Sequence, residues 1–335
     1  MARQLQATGF ARVHLNTAIP LQKRASLLNV SAASFVLLAQ IARALFAQRK
    51  QPIGLCYFVL DGGHGIVRSM LVAFCLRLAF ERAVPVLVSV RSFRHLRVHA
   101  KSFAMVLRLL PQATVLLLCS CMAAQFAARY GWAGKSAIGS NAAFWPGRPV
   151  PNQADGEGAI HVLFLSNILP GKGLDVFASI CQACAGDADF AFHVVGAPRH
   201  PSQQNLYDAL RMLENTTLHG PLDGPDKEAV LADMDVFLFP SSYRDEAQPN
   251  IVFECAAFGI VPITTDIGCT GEDVDALGGA VVPSEAFHRQ ALALLRRFAN
   301  DRQALRSRQT GVHAAYQRQH QAALSQWKDV CDGLV

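Results

Sequence analysis

The sequence has 335 residues, 51% hydrophobic and 17% charged, which excludes a disordered chain and sets two domains as the expectation. Its formal charge of +6 is unevenly spread. Residues 1–150 carry 18 Lys+Arg against two acids, Asp61 and Glu81, a balance of +16, whereas the remaining residues carry 13 basic and 23 acidic side chains, a balance of −10. Opposite charge on the two halves points to two units with different partners.

Two stretches lack charge over a membrane-spanning length, 25–42 and 109–128. Polar residues interrupt both, so they read as a buried helix and as a strand followed by a helix. The start of the chain, with Arg3 and Arg12 and no apolar run, does not read as a secretory leader.

In chain order, near-continuous apolar runs predict strands at 53–60, 84–90, 114–119, 161–166, 190–196, 235–240 and 260–265. Runs of this kind suit parallel strands covered on both faces. Helical patterns lie between them at 21–48, 65–81, 94–109, 171–185, 201–213, 226–232, 250–258 and 285–299. The alternation predicts an α/β fold built from two Rossmann-like, doubly wound domains. The stretch 139–158 is rich in Gly, Pro and Asn and falls where the charge balance changes sign. It sets the expected boundary: 1–150 as a basic first domain, 151–318 as a second, and 319–335 as a C-terminal helix that could cross back to the first.

Nine cysteines are present. Cys181 and Cys184 form a C-x-x-C pair, yet no second pair stands at zinc spacing, so buried thiols in a reducing compartment are the expectation and no metal is called for.

Three segments carry chemistry. Leu165 to Asp175 runs from a strand through Gly171-Lys172-Gly173 into a helix, a junction whose glycines admit a ligand and whose helix amides and Lys172 favour an anion. Pro240 to Glu254 runs from a strand end through a loop into a helix beginning near Pro249, with Glu246 on the loop and Glu254 about one turn into the helix. Carboxylates so placed can accept hydrogen bonds from sugar hydroxyls, and free amides at 248–250 can meet an anion. Val194-Val-Gly196 ends a third strand. All three open on the carboxyl edge of one sheet, where open α/β sheets bind ligands.

Residues 160–282 resemble the nucleotide-sugar-binding domain of the retaining glycosyltransferases of family 4, which have the GT-B fold. The likeness rests on FLSNILPGKGLDVF (164–177), FHVVG (192–196), the stretch 218–268 that contains PSSYRDEAQPNIVFE, and GGAVV (278–282), in that order. It implies that the second domain holds the donor. Glu246 would contact the donor sugar as the catalytic residue and Glu254 the ribose hydroxyls. Lys172 would hold the diphosphate with Gly171, Gly196 and the backbone of Ala247, Gln248, Pro249 and Asn250 around it. Asn167 stands where many members carry Arg, and it brings no charge. The loop 219–222 would border the base. In the first domain, 57–65 reads as a strand and Gly-rich loop, and Arg91 stands where similar proteins often have His. Arg12-Val-His-Leu-Asn16 looks like the family's second strand, so this domain is expected to lack the first strand and its glycine-pair loop.

Between 91 and 108, Arg91, Arg94, Arg97, Lys101 and Arg108 are spaced roughly along one helix stripe, which suits either an anionic membrane surface or a solvated face. No nucleic-acid motif accompanies the charge. Histidines such as His64 and His95 read as structural or solvated, not catalytic. The expectation is therefore a glycosyltransferase moving a sugar from a nucleotide diphosphate donor to a saccharide or lipid-linked acceptor with retention. It would act in polysaccharide or glycolipid assembly, in the cytoplasm or at the inner membrane face, with no cofactor besides the nucleotide-sugar co-substrate. A non-catalytic nucleotide- or glycan-binding relative and a sugar-nucleotide epimerase remain as alternatives.

Overall fold

A computed structural model describes residues 55–60, 65–80, 84–146 and 158–333. The expected helix at 21–48, the strand-like 12–16, His64 and most of the 139–158 segment lie outside these residues. Contacts divide the chain into two compact units, one of Met1–Gly139 with Gln326–Val335 and one of Ser140–Ser325.

The described part of the first unit is a four-stranded parallel sheet, ordered β1-β2-β3-β4. Its strands are β1 (Cys56–Val59), β2 (Val86–Ser89), β3 (Thr114–Leu117) and β4 (Ser136–Ile138). All four residues of β2 and of β3 are buried, which is why those strands read as unbroken apolar runs. Helices α1 (Ile66–Phe80), α2 (Lys101–Leu109) and α3 (Ser120–Tyr130) connect them. Phe103 of α2 is fully buried, edge-on to Tyr130 at 4.8 Å and 6.0 Å from Phe126.

The expected single helix at 94–109 is corrected. Arg94–Arg97 forms one turn, Val98 and Ala100 are extended, and α2 starts afresh at Lys101. The Tyr130 hydroxyl holds the break open by donating to the His95 carbonyl and accepting from the Ala100 amide. The basic residues therefore do not line one helix stripe. Arg91 and Arg97 are half-buried, and Arg94 and Lys101 are exposed. His95 is buried with its ring near Phe103, a structural place.

The second unit is a six-stranded parallel sheet ordered β10-β9-β8-β5-β6-β7. The strands are β5 (Ile160–Leu165), β6 (Phe190–Val195), β7 (Thr216–Gly220), β8 (Val236–Phe239), β9 (Val261–Thr264) and β10 (Ala280–Val281). The helices are α4 (Leu174–Ala183), α5 (Gln204–Leu210), α6 (Gly224–Ala232), α7 (Asn250–Ala257), α8 (Thr270–Leu277), α9 (Phe287–Asn300) and α10 (Arg302–Asp332), whose residues up to Ser325 belong to this unit and the rest to the first. Strands β5, β6 and β7 step outward in one direction, and the chain then returns to place β8 on the other side of β5. The order reverses between β5 and β8, and a crevice forms at such a switch point.

Alternation along the central strands separates two faces. Phe164 and Phe192 pack on Phe177 of α4 at 5.2 and 5.8 Å. The opposite positions carry His161, His193 and His219, one from each of β5, β6 and β7. His161 Nδ1 lies 2.9 Å from His193 Nε2, and His193 Nδ1 lies 3.0 Å from His219 Nε2. Burial, then the neighbouring imidazoles, push the His193 pKa down to about 4, and burial lowers that of His219. Cys181 and Cys184 are buried free thiols with pKa values raised by burial. Among the described residues, no helix is long and apolar enough to cross a membrane.

Candidate functional site

Three loops meet at the carboxyl edge of the second sheet. After β5 the chain turns through Gly171-Lys172-Gly173 into α4. Gly173 caps this helix at φ 89°, and a Cβ there would stand 2.3 Å from the Pro240 carbonyl oxygen. Only glycine lets the β5 turn lie directly on the end of β8. The Ser242 amide then donates to the Gly171 carbonyl at 2.8 Å, tying the two loops together. Gly196, at the end of β6, is as confined: φ is 129° and a Cβ would be 2.1 Å from the Ser166 carbonyl oxygen.

This approach brings the Lys172 ammonium onto Glu246 Oε2, an ion pair whose side chains are 14% and 13% exposed. The ammonium also lies 4.6 Å from the Tyr243 ring centroid and 5.8 Å from that of Phe239. A cation and a carboxylate thus neutralise each other where β5 and β8 diverge.

Helix α7 begins directly after Pro249, which is extended and supplies no side-chain cap. The Val252 amide returns to the Pro249 carbonyl at 3.2 Å, whereas the amides of Asn250 and Ile251 meet no acceptor among the described residues. Ala247 is buried and its carbonyl accepts from the Cys269 amide at 2.8 Å. The Gln248 side chain is fully engaged: Oε1 accepts from the Asn141 amide at 2.7 Å and Nε2 donates to Asp273 Oδ1 at 3.1 Å. Its carbonyl accepts from Asn141 Nδ2 at 2.8 Å. Burial pushes the Asp273 carboxyl up to about 7, against the hydrogen bond from Gln248.

Glu254 follows one turn on, 4% exposed, with Oε1 at 2.5 Å from Lys227 Nζ of α6. Lys227 also stands 5.1 Å from the Trp145 ring centroid. Burial raises the Glu254 pKa, the Lys227 ammonium opposes that rise, and Glu228 and Asp223 add to it.

The second unit therefore gathers Gly171, Lys172, Gly196, Glu246, Ala247, Gln248, Pro249, Asn250 and Glu254 on one edge of its sheet. Asn167 is exposed, one residue before Ile168, which forms a bridge with Pro198. Lys227, Tyr243, Asn141 and Asp273 are site neighbours to which the sequence reading gave no role. Among the described residues, no group of three or more His, Cys, Asp or Glu is placed to hold a metal ion.

Residues 159–297 match the family model described as Glycosyl transferases group 1. No curated protein matches the sequence. Among solved structures, sucrose-phosphate synthase from Thermosynechococcus elongatus superposes with a TM-score of 0.69 at 16% identity, covering 96% of this chain and 82% of that one. Anabaena HepE in complex with UDP gives 0.65 at 14% identity, over 88% and 82% of the two chains. TarM gives 0.66 at 14% identity over 87% of this chain, which spans 58% of the length of TarM. At such identities the likeness is one of fold, the α/β GT-B fold with its parallel sheets.

Proposed function

We propose that the protein is a retaining glycosyltransferase that moves a sugar from a nucleoside diphosphate sugar to an acceptor hydroxyl. The observation that carries the reading is the Lys172–Glu246 pair at the β5/β8 switch point, within the segment that matches the group 1 family model. An incoming diphosphate offers Lys172 a partner of higher charge than Glu246. The exchange frees the Glu246 carboxylate to accept from the sugar hydroxyls and hold the donor carbon for attack. As the bond to the diphosphate breaks, Lys172 and the open amides of α7 meet the growing negative charge. The UDP named with the Anabaena neighbour is the first donor nucleotide to try.

In this reading the basic first unit takes the acceptor, with Arg91, Arg94, Arg97 and Lys101 on the acceptor or membrane side. A lipid-linked saccharide at an anionic cytoplasmic membrane face, in polysaccharide or glycolipid assembly, suits that charge. Binding to anionic vesicles at physiological salt tests this part; indifference to them removes it.

The donor reading is tested by thermal shift against UDP-, GDP- and ADP-sugars. A ligand at one hundred times its dissociation constant stabilises by about 2.7 kcal/mol. For a unit of this size that raises the melting temperature by roughly 5–10 °C. One nucleotide sugar is expected to do so, with transfer lost in Glu246→Ala. No response to any of them refutes the reading.

A further inference from the structure

Glu254 sits inside the second turn of α7, 4% exposed, where an isolated carboxyl would hold its proton. The groups that face it are unequal. Asp223 and Glu228 add negative potential. Tyr316, whose own ionisation the Glu254 charge opposes, donates its hydroxyl to the carbonyls of Ala142 and Trp145. Lys227 is the cation in contact, 2.5 Å from Oε1, with its side chain 15% exposed and its ammonium 5.1 Å from the Trp145 ring centroid. The indole face holds the ammonium from a second side, so it is fixed against the carboxylate instead of turning into solvent. Oε1 is buried from solvent, so the Lys227 ammonium is what meets its charge.

We infer that Lys227 is a positioning residue that acts through Glu254: it keeps the carboxylate ionised and occupies one oxygen, so that the other accepts from the ribose hydroxyls of the nucleotide. The inference rests on the donor reading of Glu254. It differs from a purely structural ion pair in what happens when the cation is removed. Without Lys227 the ammonium no longer opposes the rise that burial causes, so the carboxyl holds a proton to higher pH, accepts hydrogen bonds poorly while it does, and recovers as the pH rises.

The test is calorimetric titration of the full chain with UDP, with GDP and ADP alongside, between pH 6.5 and 9. Lys227→Met is expected to weaken binding about ten-fold or more near pH 7, the size of a lost hydrogen bond to a charged group. The loss shrinks toward pH 9, while the wild type stays level. Lys227→Arg restores the affinity, and Lys227→Met combined with Glu254→Gln is no weaker than Glu254→Gln alone. Melting of each variant without nucleotide separates a lost fold from lost binding, and Lys227→Gln replaces Lys227→Met where the latter melts early. Binding by Lys227→Met equal to wild type at every pH, with Glu254→Gln weakened, overturns the positioning role and leaves the donor site standing. Wild-type affinity in Glu254→Gln, or no nucleotide bound by the wild type, removes the ribose reading and the inference with it.

Discussion

Replacing Gly173 by alanine tests the close approach on which the site depends. The residue stands at φ 89°, and an added Cβ would lie 2.3 Å from the Pro240 carbonyl oxygen, 2.6 Å from its carbon and 2.7 Å from its Cγ. The left-handed conformation costs a residue with a Cβ roughly 1–2 kcal/mol. Relieving the backbone clash requires the β5 and β8 loops to part by about 1 Å, and overpacking of this kind costs roughly 1–3 kcal/mol more. Gly186 supplies the control: its φ is 75°, and nothing lies within 4 Å of its would-be Cβ. Gly186→Ala therefore carries only the conformational cost. In thermal unfolding followed by circular dichroism, it should lower the midpoint by about 3 °C and Gly173→Ala by about 10 °C, taking 2–4 °C per kcal/mol. Gly173→Ala should also weaken nucleotide binding, because the displaced turn carries Lys172. Equal losses of midpoint in the two variants would refute the close approach.

Asp273 has its carboxyl raised from 3.8 to about 7, so the folded chain keeps a proton that the unfolded chain releases, and stability falls as pH rises between those values. Asp273→Asn, which still accepts from Gln248, should gain up to about 4 kcal/mol at pH 8 and nothing near pH 4, read from denaturant midpoints. His193 works in the opposite direction: lowered from 6.5 to about 4, it refuses a proton that the unfolded chain accepts, so stability falls as pH drops through that window. His193→Gln should flatten this acid limb by roughly 1–2 kcal/mol, allowing for partial solvent screening; an unchanged limb counts against the imidazole ladder. Tyr130→Phe removes the hydroxyl that ties His95 to Ala100, and should cost about 1–2 kcal/mol of stability.

The apolar strands were legible because parallel strands such as β2, β3 and β8 are buried at every position. β4, β7 and β10 were not: they are half-exposed and read Ser-Ala-Ile, Thr-Thr-Leu-His-Gly and Ala-Val. Most of α10 escaped for a related reason, since its Arg- and Gln-rich exterior and Gly311 obscure the period that buries Val312, Tyr316 and Trp327. At the site, strand ends and glycines placed Lys172 near Glu246 from sequence alone. The spacing of Arg94, Arg97 and Lys101 fitted a helix, yet a tyrosine from α3 decides that backbone. The partner of Glu254 comes from a different helix, and only the folded sheet brings Lys227 to it.

The Gln248 clasp sets where an independent second unit can begin. Asn141 answers both the side chain and the backbone of Gln248, and the carbonyls of Ala142 and Trp145 receive the Tyr316 hydroxyl. The strand content of this unit starts only at Ile160, but a chain cut to begin at Gly158 would leave Gln248 and Tyr316 without these partners beside the loop that carries Glu246. Excision at Ser140 preserves them, so residues 140–146, which look like a mere lead-in to the second sheet, work as the fastening of the loop that carries Glu246.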